Sequence, residues 1–243
     1  EAFGIEGRGR FYDGVGAIRD VIQNHLLQIV GLLAMEPPVS SEPDALRDEI
    51  VKVMSAIPAL TPENVVRGRY DGYLDEPNVS PTSDTETFAA VRLEIDNWRW
   101  AGVPFFIRAG KGMDETVTEA VIELRQTPQD LFAPEGKPPA NVIRFRMKPD
   151  DVISMSMQAK VPGDGLRAQG VDLTGDYGVS LGGDGPDPYE RLIGDALDGD
   201  PRLFARQDSV EEAWRIVEGV LDSRTPLHDY RRGSSGPDCA SLL

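Results

Sequence analysis

The stretch TFAAVRLEIDN, residues 87–97, decides the fold class that the sequence predicts. Its apolar and charged side chains alternate, with Val91, Leu93 and Ile95 set against Arg92, Glu94 and Asp96. A period of two is typical of a β-strand that buries one face and leaves the other wet or paired with a partner. We therefore predict a strand here, in a sheet with one buried face.

Other runs along the chain are also rich in β-branched and aromatic residues. They are VVRGRYDGYL (65–74), VPFFIRAGK (103–111), VTEAVIELRQ (117–126), NVIRFRMKP (141–149) and DVISMSMQAK (151–160). Most have no convincing helix between them, which favours antiparallel pairing. The sequence thus predicts an α+β fold with one large, mainly antiparallel sheet and helices packed on one face. We predict that residues 161–187, rich in glycine and aspartate, form an irregular connection.

Helices are predicted before and after these strands. A long apolar helix is expected from Gly16 to Met35, where the following prolines prevent its continuation. An amphipathic helix is expected from Pro43 to Ala56, and two more at residues 189–199 and 209–221. The polar tail from His228 is expected to wrap the surface. Because no internal repeat or linker divides the chain, residues 1–243 are predicted to form one domain.

Composition excludes several classes of function. The 243 residues carry a formal net charge of −16 with a pI near 4.5, which argues against nucleic-acid and membrane partners. No apolar run approaches the roughly 20 residues of a membrane span. The single cysteine, Cys239, fits a reducing compartment, so we expect a cytoplasmic protein. No cluster of cysteines suggests a metal site.

Polar residues interrupt the long apolar helix. His25 shares an apolar stripe with Ile18 and Ile22, and is either a core histidine satisfied by one hydrogen bond or a general base. Asp20 and Asn24 lie four residues apart, so an α-helix would present both on one face. That face either lines a cavity or is a polar stripe at the surface.

Two glycine-containing segments could approach a phosphate. In FFIRAGKGM (105–113), glycines flank Lys111 and would let the backbone come close to a ligand, while the lysine supplies a cation. The alternative is a tight turn with a solvated lysine. GGDGPDP (182–188) lacks the Gly-Lys-Ser/Thr ending of a phosphate loop and is predicted to be a plain loop. No G-x-G-x-x-G follows a strand, so no dinucleotide-binding fold is visible.

Long ordered motifs covering nearly the whole chain resemble one family. They are IRDVIQNHLLQ (18–28), LLAMEPP (32–38), TETFAAVRLEIDNWRWAGVPFFIRAGK (85–111), PDPYERLIGDAL (186–197) and EEAWRIV (211–217). The chain resembles the C-terminal β+α domain of bacterial glucose-6-phosphate dehydrogenases. The resemblance implies oxidation of glucose 6-phosphate to 6-phosphogluconolactone with NADP as hydride acceptor, and a homodimer formed through the sheet.

The resemblance also implies roles for individual residues. His25 matches the base that takes the proton from the anomeric hydroxyl of the sugar. Asp20 matches a ligand of a substrate hydroxyl, Glu1 a glutamate that contacts the sugar, and Lys111 a lysine of the substrate pocket. The apolar helix would then carry polar residues because it forms one wall of the active site.

The chain departs from the family in what it lacks. The family's N-terminal Rossmann domain, which holds NADP, grips the sugar phosphate and orients the base, is absent, so residues that bind the cofactor are not assigned. We expect the C-terminal part of a longer enzyme, nearly inactive alone. Thr116 replaces a second basic residue, and Ser235 precedes the Gly-Pro of the tail, so a second, structural NADP site is not supported. The alternative is a stand-alone module that binds sugar phosphate or dimerises without catalysis.

Overall fold

The computed structural model describes residues 1–129, 139–163, 165–176, 187–221 and 225–242. The chain divides into two compact units, the first made of Glu1–Glu115 and Pro188–Leu243, the second of Thr116–Asp187. The α+β class and the mainly antiparallel pairing are confirmed, but the strands form two four-stranded sheets where one large sheet was predicted. That all 243 residues form one domain stays a prediction.

The first unit contains a sheet with strand order β3-β2-β1-β8. Its strands are β1 (Val65–Tyr70), β2 (Phe88–Leu93), β3 (Phe105–Gly110) and β8 (Leu227–Tyr230). β2 pairs antiparallel with both β1 and β3, whereas β8 lies parallel to β1. The tail therefore does not simply wrap the surface, because β8 extends the sheet and buries Tyr230.

Helices cover one face of this sheet. They are a π-helix (Ile18–Leu26), α2 (Leu27–Ala34), α3 (Pro43–Ser55) and α5 (Gln207–Leu221). Apolar side chains of the strands, including Val65, Ala89, Val91 and Ile107, share one core with them. Because Val91, Leu93 and Ile95 are all buried, the period-two pattern correctly identified the inward face.

Aromatic side chains cover part of the opposite face. The short helix α1 (Gly9–Tyr12) brings Tyr12 into a cluster with Tyr70, Tyr73, Phe88 and Tyr230. Their rings meet edge to face, with centroids 5.6 Å apart for Tyr70 and Tyr73 and 5.7 Å apart for Phe88 and Tyr230. Such pairs add to the stabilisation from burial alone. This sheet is therefore buried on both sides along much of its length.

The long predicted helix is present but has an unexpected register. Its first part, Ile18–Leu26, is a π-helix, in which the Leu27 N–H donates to the Ile22 carbonyl five residues earlier. The part that follows, Leu27–Ala34, is α-helical. The prediction applied α-helical spacing to the whole segment, so its grouping of Asp20 with Asn24 assumed the wrong period. The predicted helix Pro43–Ala56 is confirmed as α3.

The second unit is a meander of β4 (Thr118–Glu123), β5 (Val142–Lys148), β6 (Val152–Lys160) and β7 (Ala168–Asp176), all antiparallel. The prediction of an irregular connection over residues 161–187 is wrong for β7, where glycine and aspartate obscured the alternation. Most of GGDGPDP (182–188) lies outside the described residues.

The two faces of this second sheet differ in polarity. One row of facing side chains is apolar across all the strands: Ile122, Ile143, Met155 and Leu173. The opposite face carries Glu119, whose carboxylate accepts hydrogen bonds from Arg144 and Arg146. The alternation predicted from the sequence is thus present, but Ile153 and Leu173 on the apolar face are 44% and 55% exposed.

The remaining helical elements are short or peripheral. They are α4 (Pro188–Asp198) and the 3₁₀ turns Pro62–Asn64, Tyr73–Asp75 and Asp238–Leu242. Within the described ranges, every helix is too short or too polar to traverse a lipid bilayer.

Candidate active site

Lys111 follows β3, and hydrogen bonds of its own N–H and carbonyl hold its backbone in place. Its N–H donates to the Thr87 carbonyl at 2.9 Å, and its carbonyl accepts a hydrogen bond from the Tyr230 hydroxyl at 2.6 Å. Burial raises the pKa of Tyr230 to about 12, so this hydroxyl remains a donor at neutral pH. Lys111 is only 5% exposed, so the alternative of a solvated lysine in a turn is wrong.

Glu1 lies directly against this lysine. The Glu1 carboxylate forms an ion pair with Lys111 Nζ. The backbones of the two segments also pair, because Met113 N–H donates to the Glu1 carbonyl at 2.9 Å and Gly112 N–H to the Phe3 carbonyl at 2.7 Å. A φ of +62° at Gly112, readily adopted by glycine, allows this turn. The structure thus brings together two of the four predicted site residues.

Tyr12 connects this pair to Asp20. Lys111 Nζ lies 5.9 Å from the centroid of the Tyr12 ring and 5.5 Å from that of Phe3, within the range of cation–π attraction. Burial raises the pKa of Tyr12, and the negative charges of Glu86 and Asp20 raise it further. The charge of Asp20 thus acts on the Tyr12 hydroxyl through space, without a hydrogen bond between the two groups. That hydroxyl is buried and has no hydrogen-bond partner among the described residues.

His25 is placed by its position in the π-helix. It lies in the last turn of the π-helix, five residues after Asp20. None of the hydrogen bonds or ion pairs within the described ranges joins it to Glu1, Asp20 or Lys111. Its side chain is exposed, so the alternative of a core histidine is wrong for this chain. His228 is exposed as predicted, although it lies in β8.

Three residues of this region escaped prediction from the sequence: Tyr12, Glu86 and Tyr230. Each is buried by partners that are distant in the chain. Glu86 precedes β2 and contacts the start of the π-helix, and Tyr230 reaches Lys111 across the sheet. The only local signal was a carboxylate next to an apolar strand in TETF. A hydrogen-bond partner 68 residues away cannot be inferred from one sequence.

These groups suit the binding of a polyhydroxylated anion. Carboxylates accept hydrogen bonds from hydroxyl groups, an ammonium donates as many as three, and an exposed imidazole can take a proton. The described residues do not suit a dinucleotide, because neither sheet is a parallel sheet with helices on both faces and a glycine-rich phosphate turn. The described residues thus offer no dinucleotide site of this type.

Comparisons with known proteins identify the family of the chain. The family model for "Glucose-6-phosphate dehydrogenase, C-terminal domain" matches residues 1–243. The chain is 47% identical over its whole length to glucose-6-phosphate 1-dehydrogenase 1 of Mycobacterium tuberculosis, covering 52% of that protein. It is 43% identical to the glucose-6-phosphate 1-dehydrogenase of Aggregatibacter actinomycetemcomitans, again over the whole chain and 52% of the relative. The chain thus spans about half the length of the curated relatives it matches.

Solved structures agree as well. The crystal structure of glucose-6-phosphate 1-dehydrogenase from Mycobacterium avium matches all of this chain and 52% of its own, with a TM-score of 0.90 and 47% identity. A glucose-6-phosphate dehydrogenase in complex with its substrate glucose-6-phosphate matches all of this chain and 52% of its own, with a TM-score of 0.91 and 37% identity. The chain belongs to the glucose-6-phosphate dehydrogenase family, as a C-terminal domain of that family.

Proposed function

We propose that this chain is the substrate-binding and base-supplying part of an NADP-dependent glucose-6-phosphate dehydrogenase, which oxidises glucose 6-phosphate to 6-phosphogluconolactone. The observation that carries the proposal is the ion pair of the buried Lys111 with Glu1 beside the Tyr12 ring, in the same compact unit as Asp20 and His25. Membership of the family supplies the reaction and the substrate.

Each predicted residue has a role in this reaction. His25 takes the proton from the anomeric hydroxyl as the C–H bond of the same carbon releases its hydride. Asp20 and Glu1 accept hydrogen bonds from sugar hydroxyls and so fix the orientation of the ring. Lys111, paired with Glu1, has further N–H donors with which to bind the substrate. NADP, held outside this chain, would accept the hydride when bound.

The decisive experiment compares the two histidines of the chain in the full-length protein that contains it. His25→Asn removes the proposed base, so the kcat for oxidation of glucose 6-phosphate should fall by about 10²- to 10⁴-fold. His228→Asn is the matched control, because that histidine is also exposed but lies in β8. Steady-state reduction of NADP and of NAD, each followed by absorbance, measures the effect and the coenzyme preference.

Each outcome of these experiments tests a different part of the proposal. If the wild-type protein reduces neither coenzyme in the presence of glucose 6-phosphate, the proposed function is wrong. Wild-type activity together with an equally active His25→Asn variant would retain the reaction but remove His25 as its base. The 243-residue chain alone should show negligible turnover, and steady turnover by it would contradict the proposed division of the site.

A second proposed property is dimerisation through the sheet of the second unit. Its support is the apolar row of Ile122, Ile143, Met155 and Leu173, whose last member is 55% exposed. Exposed contiguous apolar surface of this kind is characteristic of interfaces. The same observation favours the alternative function, a dimerising module without catalysis, which the turnover experiment tests. The cytoplasmic location stays a prediction.

A further inference from the structure

The π-helix that carries Asp20 and His25 is capped from outside itself. The residue before it, Ala17, has no side chain that could cap the helix. Instead, Glu86 Oε1 accepts a hydrogen bond from the Ile18 N–H at 3.0 Å, and the Glu86 carbonyl accepts one from the Ala17 N–H at 3.0 Å. The first N–H groups of a helix lack partners within it and favour a negative charge. Glu86 supplies both an acceptor and a charge there.

Arg67 holds Glu86 in this position. Its guanidinium lies 3.3 Å from Glu86 Oε2, donates to the Thr225 carbonyl at 3.3 Å and also donates to the Asp84 carbonyl. Glu86 and Arg67 are 6% and 8% exposed. Removing one member of a buried ion pair leaves the other charge uncompensated, which is strongly unfavourable. The Arg67–Glu86 ion pair therefore holds the start of the π-helix in place.

Close packing leaves the helix little freedom at this point. Gly16 has a φ of +72°, and a Cβ added there would lie 2.5 Å from Glu86 Oε1. The carboxylate thus occupies the space that any other side chain at residue 16 would need. A small shift of Glu86 would move the first turn of the helix with it.

The register of the π-helix matters for the two site residues. Asp20 and His25 are five residues apart. In an α-helix such residues point about 140° away from each other. In a π-helix the hydrogen bonds join residues five apart, so Asp20 and His25 lie about one turn apart on the same face. The π-helical register therefore brings a carboxylate and an imidazole to one side of the helix.

We propose that Glu86, held by Arg67, is a positioning residue for the reaction of this site. It fixes where the π-helix begins and so places Asp20 and His25 together against the substrate. This inference rests on the proposed dehydrogenase function. Glu86 touches neither the substrate nor the reacting atoms in this proposal, and acts only through the helix.

The kinetic test uses the full-length protein. Glu86→Ala should lower kcat/KM for glucose 6-phosphate by about 10- to 100-fold, because displacement of catalytic groups by about 1 Å has effects of this size. Arg67→Leu should lower it similarly, whereas the double variant Arg67→Leu/Glu86→Gln should recover most of the activity. That variant keeps an oxygen for the Ile18 N–H without leaving a buried charge unpaired.

A matched control separates positioning from loss of stability. Ile57→Ala removes a fully buried side chain from the core that α3 shares with the sheet, and should lower the melting temperature comparably. Well below both melting temperatures, its kcat/KM should stay within about twofold of wild type. If Ile57→Ala loses as much activity as Glu86→Ala, or if the double variant is as inactive as either single variant, the positioning role is overturned.

A second measurement does not depend on activity. In the 243-residue chain, Glu86→Ala should speed hydrogen exchange of the backbone amides of residues 18–26 by at least about tenfold, while Ile57→Ala should not do so selectively. Unchanged exchange in Glu86→Ala would overturn the proposal even if the wild-type enzyme is active. Selective acceleration in a protein that lacks dehydrogenase activity would retain the anchoring by Glu86 and refute the proposed reaction.

Discussion

The two sheets have the same alternating strand pattern but differ in what covers them. The first has helices on one face and an aromatic cluster on the other, so Phe88, Ala89 and Val91 are almost completely buried. The second leaves Ile153 and Leu173 about half exposed within the described parts of the chain. Alternation in the sequence therefore identifies which side chains share a face of the sheet. It does not identify which other element packs against that face.

Because their cover differs, the two sheets are suited to different roles. Lys111 stands at the end of a strand whose neighbours are buried, and its turn is held by hydrogen bonds to Thr87 and Tyr230. A polar site of this kind needs rigid surroundings, because small displacements of its groups weaken binding and catalysis. Within the described parts of the chain, the second sheet has an apolar face that is partly exposed, and this exposure is the support for its proposed role in association.

The largest effect is expected on the free energy of unfolding, and it is tested by comparing one phenylalanine in each sheet. Phe88 is fully buried between Tyr230 and three glycines, so Phe88→Ala should destabilise the chain by about 3–5 kcal/mol. Phe145 lies partly exposed on the apolar face of the second sheet, and Phe145→Ala should cost roughly half as much. Urea unfolding at concentrations where the chain is monomeric measures both. Equal losses would mean that the second sheet is covered as fully as the first.

Charge placed on the second sheet is the next test. Leu173→Lys puts a cation at the end of the apolar row, on the edge strand β7, and should weaken self-association by about 100-fold or more, because an unpaired charge would be buried at the interface. Thr174→Lys is the matched control, because adjacent strand residues point to opposite faces. Analytical ultracentrifugation should find a dimer for the wild type and for Thr174→Lys. A dimeric Leu173→Lys would exclude this face as the interface.

Much of the fold was predictable because it depends on local patterns. The alternating runs predicted six of the eight strands that the described residues form, although all six were assigned to one sheet. β8 was not predicted, because it lies in the polar tail that was expected to wrap the surface. β7 was missed because Gly170, Gly175 and several aspartates weaken the apolar signal of Val171 and Leu173. The division into two sheets depends on which strands find each other, and local pattern does not contain that information.

A smaller effect is expected from the hydroxyl that holds Lys111. Tyr230→Phe keeps the ring but removes the hydrogen bond to the Lys111 carbonyl, so KM for glucose 6-phosphate should rise about five- to tenfold with kcat nearly unchanged. Tyr70→Phe is the control, because its hydroxyl donates to Glu76 at 3.0 Å instead. Steady-state kinetics of the full-length protein distinguish them. A similar rise in KM for both variants would indicate general loosening of the aromatic cluster.

The site was less predictable than the fold. Glu1, Asp20, His25 and Lys111 were identified by resemblance to the family, and the structure joins only Lys111 and Glu1 directly among the described residues. The local sequence could not reveal that the helix of Asp20 and His25 is π-helical, since its apolar spacing also fits an α-helix. Nor could it reveal Glu86 or Tyr230, whose partners are brought close only by the folded sheet.

The smallest effect is expected on the pH dependence of stability, and it is tested by comparing two carboxylates, one in each unit. Burial by itself would raise the pKa of Asp13, but hydrogen bonds from the Ser83 hydroxyl, the Ser80 N–H and the Tyr73 hydroxyl hold it below 3.8. Burial likewise opposes the shift at Glu119, where Arg144 and Arg146 hold the pKa below 4.5. Because both folded pKa values are depressed, each group stabilises the fold above the pKa of the unfolded chain. Each contribution disappears as the pH falls through the lower, folded value.

Salt should separate the two contributions, because their donors differ. Asp13 accepts hydrogen bonds from neutral groups, so its acid-sensitive stability should survive about 0.5 M NaCl, whereas the attraction of Glu119 to exposed arginines should be screened. Urea unfolding between about pH 3 and 6 of Asp13→Asn, Glu119→Gln and the wild type measures each contribution. We expect salt to shrink the difference between Glu119→Gln and wild type and to leave that of Asp13→Asn unchanged. The opposite result would mean that the charged face of the second sheet is shielded from solvent, and would then place the partner on that face rather than on the apolar one.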